Sequence, residues 1–168
     1  MSTLKDLEKR IQVLEDLEAI KKLKAKYGQF CDARYDLKTL AMKSEDEVKS
    51  IAREIANLFT EDAVWDGGEK LRIARGREEI YERFVNSAFN FAVHYFVMPD
   101  ITVDGNKAKA RWYLFQAATN KENVAVWMSG VEDDEYAKFN GKWLQTYMKV
   151  TISFLTPYDE GWAKKNLG

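Results

Sequence analysis

The feature that most constrains the fold is a change of period at residue 91. Upstream, apolar residues recur about every 3.6 residues; downstream they alternate about every 2. Upstream, Leu4, Leu7, Ile11 and Leu14 form a short coiled-coil-like seam, and Leu17, Ile20 and Leu23 continue it. This predicts a helix over 3–35, capped by Thr3 with Asp6 in its first turn. A second helix is predicted over 44–59. Ser44 and Glu47 make its capping box, and Val48, Ile51, Ala52, Ile55, Leu58 and Phe59 its buried face. AVWD, 63–66, reads as a short strand. A third helix spans 76–89, with Ile80, Phe84, Val85 and Ala88 inward. Downstream, FAVHYFV is a strand. DITVD and KAKARWYLFQAAT flank the turn pair Gly105-Asn106, and two longer strands flank Asn140-Gly141. Helices first and antiparallel strands later predict an α+β fold, with helices packed on one face of a curved sheet.

Composition narrows the function classes. The 168 residues carry a formal net charge of −1, so no global field draws the chain to nucleic acid or anionic lipid. No apolar run has the length of a membrane span. One cysteine cannot form an internal disulfide, and the first twenty residues are too charged for a secretion signal, so a cytoplasmic protein is expected. Pro99 and Pro157 are the two prolines and no linker appears, so 1–168 reads as one domain with 1–14 as a helical extension. One histidine and one cysteine do not make a zinc site, and no glycine-rich phosphate loop occurs, so neither metal nor cofactor is expected. The run Glu132-Asp133-Asp134-Glu135 reads as a solvated strand edge. Both sheet faces carry large apolar groups: Leu144, Met148 and Val150 alternate with Trp143, Gln145 and Tyr147. The face turned away from the helices is too apolar for bulk water and points to a homo-oligomer.

Chemistry concentrates in two places. The long helix ends on YGQFCD, 27–32, which mixes a tyrosine, the cysteine and an aspartate. The lone histidine, His94, sits inside FAVHYFV and shares a face with Ala92 and Phe96. A part-buried imidazole there can act as base or acid near neutral pH, or be a core histidine satisfied by a backbone carbonyl. Asp32 projects near the small Ala25 and Gly28. It borders open space, or else pairs with Arg34 as an ordinary helix-end carboxylate. Tyr27 continues the apolar stripe, so its hydroxyl needs a partner. Cys31 reads as a small core residue.

The segments LEAIKKLKAKYGQFCDARYD, FTEDAVWD, GREEI, HYFVMPDITVDGNKAKARWYLFQ and YAKFNGKWLQTYMKV, in this order, resemble the SnoaL-like group of the NTF2-like superfamily over about residues 15–160. Within it the chain is similar to the bile acid 7α-dehydratase, hexachlorocyclohexane dehydrochlorinase and scytalone dehydratase families. The resemblance implies a cone-shaped α+β domain, with about three helices on a strongly bent sheet around an apolar pocket. It places a catalytic tyrosine, aspartate and histidine on Tyr27, Asp32 and His94. A further dehydratase aspartate falls on Gln116, which cannot act as a carboxylate acid or base. With Trp112, Trp65, Trp127 and Phe96, Gln116 is expected to contact the substrate. Residues 42–54 look like an elongation between helices that alters the rim or the oligomer surface. The resemblance favours a trimer, with a dimer as the other choice.

The implied function is a cofactor-independent lyase that eliminates water or another small group from a hydrophobic ring substrate such as a steroid, polyketide or aromatic compound. Isomerisation in the same pocket is one alternative. A non-catalytic small-molecule-binding domain is another, favoured by Gln116. An epoxide hydrolase would need Arg111 inside, and alternation places it opposite Trp112 and Leu114.

Overall fold

The computed structural model describes residues 3–165. Helix α1 runs Leu4–Ala33, with Thr3 and Asp6 making the cap. Tyr35–Asp36 (β1) and Ala41–Met42 (β2) pair as a small hairpin. Helix α2, Glu45–Ala56, follows, with Glu47 accepting from the Ser44 backbone N–H at 3.3 Å. Strand β3 is Phe59–Asp66, longer than the expected 63–66. A one-turn helix α3, Gly68–Leu71, and a short strand β4, Ile73–Arg75, lie where the sequence showed no period. Helix α4 is Gly76–Val85, shorter than expected by four residues. Four strands complete the chain: β5 (Phe91–Asp104), β6 (Lys107–Thr119), β7 (Ala125–Phe139) and β8 (Lys142–Pro157). Among the described residues, no helix is long and apolar enough to cross a membrane.

The larger sheet has the order β4-β3-β8-β7-β6-β5. Only β3 and β8 pair in parallel; β5 through β8 form an antiparallel meander. Two of its turns are the pairs read from sequence. Asn140 and Gly141 have φ of 49° and 79°, as a type I′ turn requires. Bulges re-aim the strands. One falls between Val97 and Asp100, where Met98 has φ 50°. It keeps the concave face continuous: His94 and Phe96 face Gln116 and Leu114, and past the bulge Ile101 and Val103 face Ala110 and Ala108. Another lies between the pairs Glu135–Tyr147 and Tyr136–Gln145. It breaks the simple alternation read along β8: Trp143 and Gln145 are buried before it, Met148 and Val150 after it.

Helices α1, α2 and α4 cover this concave face. The main core joins Tyr27 and Cys31 of α1, Ala52 and Ile55 of α2, and Ile80 and Phe84 of α4 to Trp65, Leu114, Met128 and Met148 of the sheet. A second cluster, Ile20 with Trp112, Tyr136 and Trp143, lies further back along α1. The N-terminal seam does not rest on this body: Leu4, Leu7, Ile11 and Leu14 are 43–73% exposed. A 30-residue helix is roughly 45 Å long, and its first turns extend past the sheet. On the convex face Tyr95, Val97, Tyr113 and Phe115 remain exposed.

Candidate active site

The end of α1 crosses the start of β5, and this crossing joins Asp32 to His94. The Asp32 Oδ1 lies 2.7 Å from His94 Nδ1 and accepts the His94 backbone N–H at 3.1 Å. An ionised carboxylate only accepts hydrogen bonds, so in the neutral imidazole Nδ1 carries the proton and Nε2 is the free base. The His94 side chain is 14% exposed, and that of Asp32 is 31% exposed. Burial holds the His94 pKa below its ordinary value of 6.5, and the carboxylate opposes this only in part. The imidazole is therefore neutral at neutral pH. Its ring stacks on Phe96 at 6.0 Å and 12°.

His94 lines a cavity of about 50 Å³ between α1, α4 and the sheet. Tyr27, Trp65, Gln116 and Glu132 line the same cavity. An apolar cavity that takes a benzene ring measures about 150 Å³. A substrate larger than a few heavy atoms must therefore displace side chains at the rim. Leu71 and Arg83 are the thin part of the wall, since they also line an outer groove between α4 and β4.

Tyr27 is buried at 4% exposure. Its hydroxyl accepts from Trp65 Nε1 at 3.3 Å and points its proton at the Met148 sulfur, 3.5 Å away. A thioether is a weak acceptor, so a substrate oxygen can replace it. Burial raises the Tyr27 pKa well above its usual value, which keeps the phenol protonated. Gln116, opposite His94 across the β5–β6 ladder, is 1% exposed, and its Nε2 has no hydrogen-bond partner. Cys31 is a buried thiol pushed up to about 12 by burial, hence inert.

Three of the expected contact residues lie elsewhere. Trp112 belongs to the second core cluster. Trp127 stacks on Phe115 at 5.1 Å and leans on Tyr158, away from the cavity. Phe96 packs behind His94 rather than beside the ligand space. Nor do Ala25 and Gly28 open that space. Ala25 is exposed, and Gly28 is filled by the Phe96 ring, which would lie 3.2 Å from an added Cβ. Arg111 is exposed and pairs with Asp133 at 2.7 Å, as alternation indicated.

The acidic run on β7 is not a solvated edge. Glu132 and Asp134 are buried at 3% and 2% exposure. Both bind Lys24, which is also buried: Asp134 at 2.8 Å, and Glu132 in close contact. Tyr136 donates to Asp134 at 2.7 Å. Burial disfavours the Lys24 ammonium, but the two carboxylates outweigh it and its pKa ends above the ordinary value. Glu132 is pushed up to about 7 by burial; Lys24 opposes this and the Asp134 charge adds to it. Glu132 is thus a carboxyl that can hold a proton near neutral pH at the cavity wall. The signal was present: in a period-2 strand, Glu132 and Asp134 share a face with Met128 and Tyr136. Arg83, one turn beyond Ile80 on the inner side of α4, was likewise missed as a lining group; Arg34, after α1, lines the cavity beside it.

Fold and lining together define a small α+β domain with a partly polar, histidine-bearing cavity. The profile of the SnoaL-like domain family matches residues 49–149, and the chain belongs to that family, within the NTF2-like superfamily. Three solved structures are similar. A type 2 hexachlorocyclohexane dehydrochlorinase gives a TM-score of 0.72 at 18% identity, covering 88% of this chain and 92% of its own. A candidate scytalone dehydratase from Novosphingobium aromaticivorans gives 0.69 at 19% identity, covering 92% and 95%. A candidate aromatic ring hydroxylase from the same species gives 0.68 at 26% identity, covering 86% and 94%. Comparison with curated protein sequences finds no significant match.

Proposed function

We propose that the protein is a cofactor-independent lyase that uses the Asp32–His94 pair as its base. The observation that carries this reading is the 2.7 Å contact between Asp32 Oδ1 and His94 Nδ1 beside a cavity. His94 Nε2 takes a proton from a carbon next to a carbonyl. Asp32 steadies the imidazolium that forms. Tyr27 donates to the developing oxyanion. The electrons of the broken C–H bond form the new double bond as the bond to the leaving group breaks. A hydroxide leaves as water by taking the proton of Glu132. A positioned base of this kind contributes roughly 10²–10⁴-fold in rate. Each oxyanion donor adds about 10²–10³-fold. The relatives that are a dehydrochlorinase and a candidate dehydratase support an elimination reaction. The cavity volume favours a compact ring over a steroid, unless Leu71 and Arg83 swing aside.

The test is a panel of cyclic β-hydroxy carbonyl compounds, followed by absorbance of the conjugated product. Turnover is expected in the wild type and absent in His94→Gln, whose circular dichroism stays unchanged. Equal turnover in His94→Gln would refute the reading. If instead a β,γ-unsaturated cyclic ketone run beside the panel gave the conjugated ketone with no group lost, the protein would be an isomerase.

A further inference from the structure

Two guanidinium groups face the same cavity without any anion to hold them. Arg34 is 4% exposed. Its Nε donates to the Cys31 carbonyl at 3.1 Å and its Nη1 to the Phe84 carbonyl at 2.9 Å, both neutral acceptors. Arg83 lies over the Trp65 ring at 4.3 Å, and its buried Nε has no hydrogen-bond partner. Neither arginine makes an ion pair with a described residue. The other charged groups of the wall are satisfied: Glu132 by Lys24, and Asp32, just behind it, by His94. Gln116 adds a buried Nε2 that donates to nothing.

Burying a cation without a counter-charge is costly, and groups left unsatisfied in a folded protein call for an explanation. The polar groups without partners at this wall are donors: two from Arg83 and Gln116, next to a second, partly used guanidinium. A neutral ring accepts from none of them, and a ketone brings one oxygen with two acceptor sites and no counter-charge. A carboxylate brings two oxygens and about four acceptor sites, and it matches guanidinium geometry. It is also compact enough for about 50 Å³.

We propose that Arg34, Arg83 and Gln116 form an anion subsite, so that the substrate of the Asp32–His94 site is a compact carboxylic acid, with the carboxylate held between the two guanidinium groups. This rests on the lyase reading for the word substrate, but the subsite itself does not need turnover.

The experiment is a titration with sodium acetate against acetamide, its neutral analogue, at fixed ionic strength. The readouts are tryptophan fluorescence, to which Trp65 of the cavity lining contributes, and the ring signals of the single histidine. Saturable binding of acetate is expected, with acetamide at least tenfold weaker. Arg83→Gln should weaken acetate at least tenfold with unchanged circular dichroism, because Arg83 has no hydrogen bond to lose. Arg83→Lys should recover part of the binding. His94→Gln should bind acetate while losing turnover, which separates failure of the subsite from failure of the lyase reading. Equal binding of acetate and acetamide, acetate affinity unchanged in Arg83→Gln, or no saturable response in the wild type would each overturn the proposal.

Discussion

Replacing Asp32 by Asn removes one charge and almost no volume. The amide oxygen can still accept from the His94 backbone N–H and from Nδ1, so the change isolates electrostatics. With Oδ1 and Nδ1 at 2.7 Å and both charges delocalised, the effective separation is about 4 Å. At an effective dielectric near 20 that corresponds to about 4 kcal/mol. Asp32 is 31% exposed on its side chain, so water screens part of it. A residual effect of about 1–2 pKa units is expected, at about 1.4 kcal/mol per unit. The His94 pKa already lies below 6.5, so in Asp32→Asn it should fall further. The sign for stability follows. The folded pKa is below that of the unfolded chain, so on acidification the unfolded state takes the proton first. The contribution of His94 to stability is complete above about 6.5 and is lost as pH falls through the folded pKa. The assay is the NMR titration of the His94 Cε1–H signal, which stands alone because the chain has one histidine. Turnover should drop about 10–100-fold with the loss of basicity, and more if the amide selects the wrong tautomer. A pKa change under half a unit would show that the carboxylate is not coupled to the ring, and the base mechanism would fail.

Glu132→Gln should abolish most turnover and remove the fall in rate expected above pH about 7, where Glu132 loses its proton; rate against pH checks this. It should also flatten stability against pH. The raised Glu132 pKa contributes stability that is full below about 4.5 and lost as pH rises through about 7. Lys24→Met leaves Glu132 and Asp134 buried with no cation and should cost about 3–5 kcal/mol in urea unfolding at pH 8. Gly28→Ala presses a methyl onto Phe96 at 3.2 Å, and Phe96 is stacked on His94. Helix propensity gains up to about 1 kcal/mol. Stability should therefore change little while kcat falls several-fold, as steady-state kinetics on a variant of unchanged Tm would show.

The period change at residue 91 made the helix-then-sheet order legible, and Asn140-Gly141 fixed the last hairpin. Asp32 and His94 could be named because residue types capable of acid–base work are so scarce here. What alternation could not supply was the bulge in β8, which moves Leu144 off the face that holds Met148. One inserted residue reverses every later side chain. Trp112, Trp127 and Phe96 fall outside the cavity lining for a related reason. Both faces of the sheet carry aromatic rings here, so pattern alone could not say which rings face the helices and how far along each strand the cavity lies. Glu132 was hidden by habit rather than by physics. Charge in a strand reads as surface, and the buried partner, Lys24, sits 108 residues away.

Lys24 explains why the site needs that hidden charge. Along α1, Lys24, Tyr27, Cys31 and Asp32 fall within about 140° of helix surface. Lys24 takes hold of β7 through Glu132 and Asp134, Tyr27 of β3 through Trp65, and Asp32 of β5 through His94. Apolar packing alone tolerates small rotations and slides of a helix, since its energy depends weakly on which atoms touch. Three polar ties to three strands do not, because each has fixed partners and a narrow range of distance. Rotating α1 by one residue, about 100°, would break all three at once. The Lys24 ammonium also lies 4.4 Å from the centre of the Phe96 ring, on which His94 stacks. The buried ion group thus fixes the angle of the helix that carries Asp32, the ring that backs His94, and a carboxyl that lines the same cavity. On this account its value lies in holding Tyr27, Asp32 and His94 at set distances more than in the net stability of the fold, where a buried ion pair contributes little over apolar packing.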